Sequence, residues 1–544
     1  MKRTATLLLL VLAVLLNAFG QNVGTYTTLN GFYDYQSNGG ALKYIAVNPT
    51  NQRIHVVYMA TSDSPAVSGD PTRRTLYAYS TNDGTTWNNF FNLSIPVRRS
   101  GFPCIDLLAT VNGYCPVIAN HSIITGGTNS TSVFIDCPEA GGAFGEILPG
   151  LSFNDALASP QVACTSDSSI IVVGAGTIGG QSGIFVKRLD TSQTWIRLTS
   201  DTFDRYVAAA SPTNRAAVLV KSEGNGVLLF ESTDNGRTWP ASPQTIYPPQ
   251  RIVGPDTFQA FLGCDLAYVG NTSVAALHEY MTNSSAPTDS SRIVFWSQVT
   301  GLVVAADKRY TPGVVPNLNR PQTNHRTMGY PVIGVTGPRI VIAYQAFMRE
   351  TSAAGFNYSD IFFTQSTNGG SSWFLPSINL TRTSSLDERY PSISRWNDPT
   401  PPYFAYMVWQ EDREPGSSTV NDNAPLARTR QRFLRLPLVV DEVSERNSGL
   451  VGFRLEQNYP NPFNPTTAIS YSLPFVKGRG GVGSLVTLKI YDVLGREITT
   501  LVNEVKPPGE YKVNWNASDA ASGVYFYRLN AGAFVNTKRM LLIR

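Results

Sequence analysis

Ser80-Thr-Asn-Asp-Gly-Thr-Thr-Trp87, Ser232-Thr-Asp-Asn-Gly-Arg-Thr-Trp239 and Ser366-Thr-Asn-Gly-Gly-Ser-Ser-Trp373 are three copies of one octapeptide, Ser-x-Asp/Asn-x-Gly-x-Ser/Thr-Trp. A decayed copy, Arg188-Leu-Asp-Thr-Ser-Gln-Thr-Trp195, carries Ser192 in place of the glycine. Repeats decide architecture, because each copy marks one supersecondary unit. The chemistry of the octapeptide is that of a turn. The side chain of Asn82, Asp234 or Asn368 accepts backbone N–H groups ahead of it. Gly84, Gly236 or Gly370 supplies a backbone with φ > 0. The Ser/Thr hydroxyls close the turn, and Trp87, Trp239 or Trp373 plugs an apolar gap beneath it. These side chains read as turn-makers rather than as ligands or catalysts.

Each copy ends a run with strand character: TLYAYS (75–80), GVLLFES (226–232) and DIFFTQS (360–366). Further apolar runs lie upstream, among them RIHVVYM (53–59), SIIVVG (169–174), RIVIAYQ (339–345) and YFAYMVWQ (403–410). Before these stand openers near Lys43, Phe102, Pro160, Tyr206, Phe261, Tyr330 and Tyr390. Their spacing of roughly 45 to 70 residues suits a four-stranded propeller blade with its loops. β-Branched and aromatic residues dominate, and no amphipathic helix of useful length stands out. The octapeptides resemble the Asp-box, or BNR, repeats of sialidase-like β-propellers. The fold class expected is therefore all-β, a propeller over about Tyr26–Leu438 within a domain 21–440. Seven blades is the count, with six, the sialidase number, as the alternative. A ring closes by pairing chain ends, so Asn22–Tyr35 is expected to lend a strand to the last blade.

The two ends carry addresses. Met1–Gly20 has a basic start (Lys2, Arg3), an apolar run Leu7–Leu16, and small residues Ala18 and Gly20 before Gln21. This is the pattern of a secretory signal peptide, 1–20, cleaved near Gly20–Gln21. The apolar run is half of the ~20 residues a membrane span needs, and no transmembrane segment is expected. At the other end FRLEQNYPNPFNPTTAISYSLP (453–474), VTLKIYDVLGREITTLV (486–502), GVYFYRLNAG (523–532) and NTKRMLLIR (536–544) follow in order. These blocks resemble the C-terminal sorting domain of the type IX secretion system of Gram-negative, Bacteroidota-like bacteria. The resemblance covers 453–544 and implies a small immunoglobulin-like sandwich, recognition by the secretion machinery, and a secreted or outer-membrane surface location. Alternating patterns at Ala468–Leu473, Leu485–Asp492, Gly509–Trp515 and Gly523–Asn530 suit such strands. The insertion Val476–Ser484 reads as a long hairpin loop, and the polar stretch 441–452 as a linker.

Composition narrows the function. Charged residues make up 15% of the 544 and aromatics 11%, and the net charge is only +4, spread along the chain. That balance leaves no footprint for nucleic acid. Cys104, Cys115, Cys137, Cys164 and Cys264 include no CxxC pair, so no zinc site is expected. Export permits disulfides. Cys104–Cys115, on neighbouring strands, is the pair expected first, and an odd count leaves at least one thiol free.

Catalytic signatures are thin. There is no Gly-x-Ser-x-Gly elbow, Walker loop or His-Glu-x-x-His. The four histidines, His55, His121, His278 and His325, read as packed or surface side chains. A sialidase needs three arginines on the sugar carboxylate, a Tyr–Glu nucleophile pair and an acid/base Asp. The Arg-Ile-Pro motif of that family is replaced here by Arg53-Ile-His55. Remaining catalytic candidates are Glu388, Arg389 and Tyr390, with Arg326 after His325 and Glu411-Asp412-Arg413 behind them. Acidic loops Asp63–Asp70 and Asp412–Asp422 offer oxygens to calcium, and no other cofactor is implied. Arg98–Pro103, Arg251–Phe258, Arg320–Tyr330 and Asp387–Pro391 are expected to face a ligand. The expectation is a propeller that binds carbohydrate or another extracellular partner without catalysis. The alternative is an exo-sialidase or other glycoside hydrolase.

Overall fold

The computed structural model describes residues 24–438, except 33–35, 37–42, 62–71, 90–93, 124–128, 150–154, 191–193, 202–204, 223, 283–290, 309–310, 312, 315–325, 401–402 and 417–424. It also describes 454–543, except 474–483, 507–508 and 532–533. The signal-peptide and linker stretches, Asp63–Asp70 and Ser192 lie outside the described residues. The chain divides into two compact units, Met1–Val440 and Asp441–Arg544. Among the described residues the elements are all strands, and no helix is long and apolar enough to cross a membrane.

In the first unit seven antiparallel sheets follow one another along the described chain. Their inner, or first, strands are Ile45–Val47, Ser100–Thr110, Ala156–Cys164, Tyr206–Ala210, Asp256–Val269, Met328–Thr336 and Asp387–Ile393, and the fifth sheet has a further short strand, Arg251–Val253, paired to the start of its inner one. Each sheet packs on the next through its first strand, and the seventh packs back on the first. The result is a propeller. Its strands read as near-continuous apolar runs because neighbouring sheets cover both faces; Ile54–Ala60 is buried at every position. Closure is covalently discontinuous. Thr25–Gly31, from the start of the chain, pairs with Thr429–Pro437 and completes the seventh sheet.

The three octapeptide turns bond as their composition dictates. Ser232 Oγ donates to Asp234 Oδ1 (2.7 Å) and accepts from Gly236 N–H (2.9 Å), while Thr238 N–H donates to Asp234 Oδ1 (2.9 Å). Asn82 and Asn368 repeat the set. The glycines have φ of 75°, 80° and 86°. Each also lies flat on the preceding sheet. A Cβ would meet the Phe433 ring at Gly84, Ile171 Cδ1 at Gly236 and the Phe295 ring at Gly370, all within 2.3 Å. The turn thus locks one sheet to its neighbour. Trp87 and Trp373 join that contact, with ring centroids 5.3 Å from Phe433 and Phe295. At the decayed copy Arg188 does the same work differently. Buried between Asp167 and Asp190, it donates to the Asn235 carbonyl of the following turn (2.5 Å).

The disulfide differs from expectation. It joins Cys115 to Cys137, with Cα atoms 5.2 Å apart. Cys104 stands opposite Ala119 and Cys115 opposite Leu108, so the expected pair is offset by four positions along the ladder. Cys137 instead follows the strand Asn129–Ile135, which flanks Cys115 on its other side. Cys104, Cys164 and Cys264 are buried free thiols, and burial pushes all three up, Cys104 and Cys264 to about 12.

The second unit is a sandwich. A three-stranded sheet (Arg454–Leu455, Thr466–Leu473, Gly509–Asn516) and a four-stranded sheet (Glu497–Lys506, Ser484–Tyr491, Gly523–Ala531, Phe534–Leu542) share one core of Phe463, Tyr471, Leu488, Trp515, Tyr527 and Met540, among others. Thr466–Leu473 and Ser484–Tyr491 belong to different sheets. Residues 476–483 of the expected hairpin loop lie outside the described residues.

Candidate functional site

The first strands of six sheets, with Ser394–Asn397 just after the seventh, line one axial cavity of about 460 Å3. Its three charged lining residues, Lys43, Asp106 and Arg395, are all held in ion pairs. Lys43 Nζ lies 2.7 Å from Asp265, and Arg395 Nη1 lies 2.7 Å from Asp106. Both aspartates also accept backbone N–H groups of a neighbouring first strand, from Ile333 and Cys164. These carboxylates brace the ring and are spoken for.

The opposite, N-terminal ends of the first strands carry a repeated irregularity. Five of them are bulged, with positive φ at Phe102, Ser159, Gly263, Tyr330 and Tyr390. Proline follows four of these, Pro103, Pro160, Pro331 and Pro391. A bulge leaves one residue outside the ladder, and proline suits that place because it has no N–H to satisfy. The N–H of the strained residue is taken up by the second strand of the preceding sheet. Phe102 donates to Met59 Sδ (3.2 Å) and Tyr390 to Gln345 Oε1 (3.0 Å). Non-glycine residues held at φ > 0 cluster at functional sites.

Arginines stack on aromatic rings at this end. Arg205 and Arg326 both face Phe261, at 4.8 and 4.5 Å from its centroid, and Arg326 also lies over Tyr280 (4.8 Å). His278 sits beneath. Burial, then Arg326 and Arg205, push its pKa down to about 3. A second group joins Arg73, Phe102 and His121: Arg73 is 5.5 Å from the Phe102 centroid and its Nη2 is 2.6 Å from His121 Nε2. The Arg73 guanidinium can only donate, so Nε2 is the acceptor and the neutral ring carries its proton on Nδ1. Burial, Arg73 and Arg99 hold His121 well below the usual histidine range. Tyr330 and Tyr390 meet edge to face between the groups (5.2 Å).

The second unit is decided by its own sequence. Residues 457–543 match the family of secretion system C-terminal sorting domains. This segment is a sorting domain. It directs export by type IX secretion to the cell surface or the extracellular space. No curated protein matches the chain. Among solved structures the chain is similar to a polysaccharide lyase, ulvanlyase (11% identity, TM-score 0.43, covering 76% of this chain and 96% of that one). It is also similar to Trypanosoma rangeli sialidase (11%, TM-score 0.36, 96% and 89%) and to a protein of unknown function from Dyadobacter fermentans (13%, TM-score 0.37, 61% and 96%).

Of the sequence-derived catalytic candidates, Arg389 lies 5.3 Å from the Tyr390 ring centroid and 4.0 Å from Asp412. Arg389 is 0% exposed; its Nε lies 2.9 Å from Asp387 and its Nη2 donates to the Gly416 carbonyl. Glu388 points the other way, accepting from Thr383 Oγ1 (2.8 Å), and burial beside Asp360 raises its pKa well above the carboxylate range. Tyr390 is buried at the bulge. Tyr–Glu pairs do exist. Tyr247 donates to Glu279 and Tyr268 to Glu231, at 2.8 and 3.0 Å. Burial, with the glutamate second, pushes both phenols up, so they serve as neutral donors. Of the expected ligand-facing segments, Arg98–Pro103, Arg251–Phe258, Asp387–Pro391 and the described part of Arg320–Tyr330 all lie at the bulged ends of first strands. No group of three metal-ligating side chains occurs among the described residues.

Proposed function

We propose that the chain is an exported propeller that binds an acidic saccharide of an extracellular glycan at the bulged end of its first strands, without cleaving it. The observation that carries this reading is the pair of guanidiniums on Phe261. Two partly exposed guanidiniums beside one ring gather positive charge at a single point, and guanidinium is the side-chain group suited to carboxylate or sulfate. Tyr280 and Phe261 are partly exposed and offer faces to sugar C–H groups. His278 and His121 are buried and held neutral, and lie beneath the arginines rather than at the surface. The Asp-box repeats supply the rigid scaffold in this reading. Export by the sorting domain puts the site where extracellular glycans are.

One observation favours hydrolysis. Tyr26 Oη donates to Glu411 (2.5 Å), takes an N–H from Arg432 (2.8 Å), and opens on a polar cleft of about 800 Å3 with Arg413, Arg428 and Arg430. The test is the purified full chain on a glycan array holding neutral, uronate, sulfated and sialylated glycans, with product analysis on every ligand bound. Binding confined to acidic glycans and weakened at least tenfold by Arg205→Ala is expected, with no product released. Product formation abolished by Tyr26→Phe would replace this reading with the hydrolase.

A further inference from the structure

The sorting domain is the basic part of the chain: residues 454–544 hold eleven Lys/Arg and six Asp/Glu, against a net charge of +4 for the whole. Its apolar exposure is also uneven. In the four-stranded sheet Tyr525, Tyr527, Met540 and Leu542 point into the core. Their neighbours Val524, Phe526 and Leu541 must therefore face outward. Phe526 pairs with Tyr491 on one side and Arg539 on the other, and Val524 pairs with Leu541. Arg528 lies over the Tyr491 ring (5.3 Å). One end of this outer face is thus an apolar strip edged by two arginines.

The strip continues into the turn that follows Tyr491. Val493 and Leu494 are 66% and 75% exposed there. A loose loop would fold such side chains down. This one is held open. Asp492 accepts N–H groups from Leu494 and Arg496 (both 2.9 Å) and the Arg496 Nε–H (2.7 Å), and Gly495 adopts φ of 79°. A rigid turn presenting two apolar side chains beside an apolar sheet end has the character of a contact surface.

We propose that this end of the four-stranded sheet, with the Val493–Leu494 turn as its tip, is where the outer-membrane export machinery grips the domain, through an apolar cleft edged by carboxylates. The sorting domain must meet that machinery to act, which fixes the occupant. The two arginines fix the sign of its rim.

The test uses the full chain in a host with type IX secretion. Val493→Asp/Leu494→Asp is compared with Leu485→Asp/Val505→Asp, a pair facing each other at the far end of the same sheet and 58% and 62% exposed. The amounts in periplasm, on the surface and in the medium are measured, with a thermal melt of each purified chain. The turn variant is expected to melt like the parent and to reach the surface and medium at less than a tenth of its level. The far-end variant is expected to be exported normally. Normal export of the turn variant, or equal loss from both variants, would overturn the proposal. Should the turn variant melt lower, Arg528→Glu/Arg539→Glu decides in its place, by loss or retention of export.

Discussion

His278 shows how a single side chain sets the response of this protein to acid. An unfolded histidine takes up a proton near pH 6.5, whereas in the fold burial and two arginines push the pKa of His278 down to about 3. Below pH 6.5 the unfolded chain binds the proton first. Stability that is complete above 6.5 is therefore lost as pH falls towards 3. At pH 4 this one group costs roughly 3 kcal/mol. His121 and His55 shift in the same direction, chiefly through burial, and add to the loss. Thermal melts from pH 7 to pH 4 are expected to fall steadily, and His278→Gln is expected to flatten the slope. A slope unchanged by that substitution would mean the ring is protonated in the fold. None of this was legible in the sequence. His121 and His278 look like ordinary packed residues there, and only the bulge opposite each one explains its place.

At the scale of elements, the octapeptide turns were legible because their bonds are local. Ser, Asp/Asn and Gly interact across at most four residues, so composition alone dictates the shape. What lies beneath each glycine was not legible, since Phe433, Ile171 and Phe295 come from other sheets. That contact carries the next prediction. Gly370→Ala places a Cβ 2.0 Å from Phe295 Cε1, at a φ that disfavours any side chain. A cost of about 1–3 kcal/mol is expected in chemical denaturation. Gly369→Ala, also at positive φ but with nothing within 4 Å, isolates the backbone part. Equal costs for the two would remove the claim that the turn locks sheets together. The bulged openers were half legible. Phe102-Pro, Tyr330-Pro and Tyr390-Pro stood out as markers of first strands. Their strained backbone did not, because it depends on acceptors in the preceding sheet. The disulfide failed for a related reason: adjacency of strands does not give register.

At the scale of the whole molecule, the ring depends on one short strand. Thr25–Gly31 buries Leu29 completely and covers the edge of Thr429–Pro437. Deleting residues 22–31 leaves an open sheet edge and a gap in the seventh sheet. A melting temperature lower by roughly 10 °C or more is expected in calorimetry, with aggregation on gel filtration. An unchanged melt would mean that closure contributes nothing to stability.

Tyr26 precedes its partner Arg432 by 406 residues. Translation at about 5–20 residues per second places them some 20 to 80 seconds apart. The strand made first thus has no partner to pair with until the last sheet has been made. The address comes later still, since residues 457–543 follow Pro437. A chain that stops early, at any point before its ring can shut, carries no sorting domain. Export from this gene therefore inspects its own product, and only molecules finished to the last blade are labelled for dispatch.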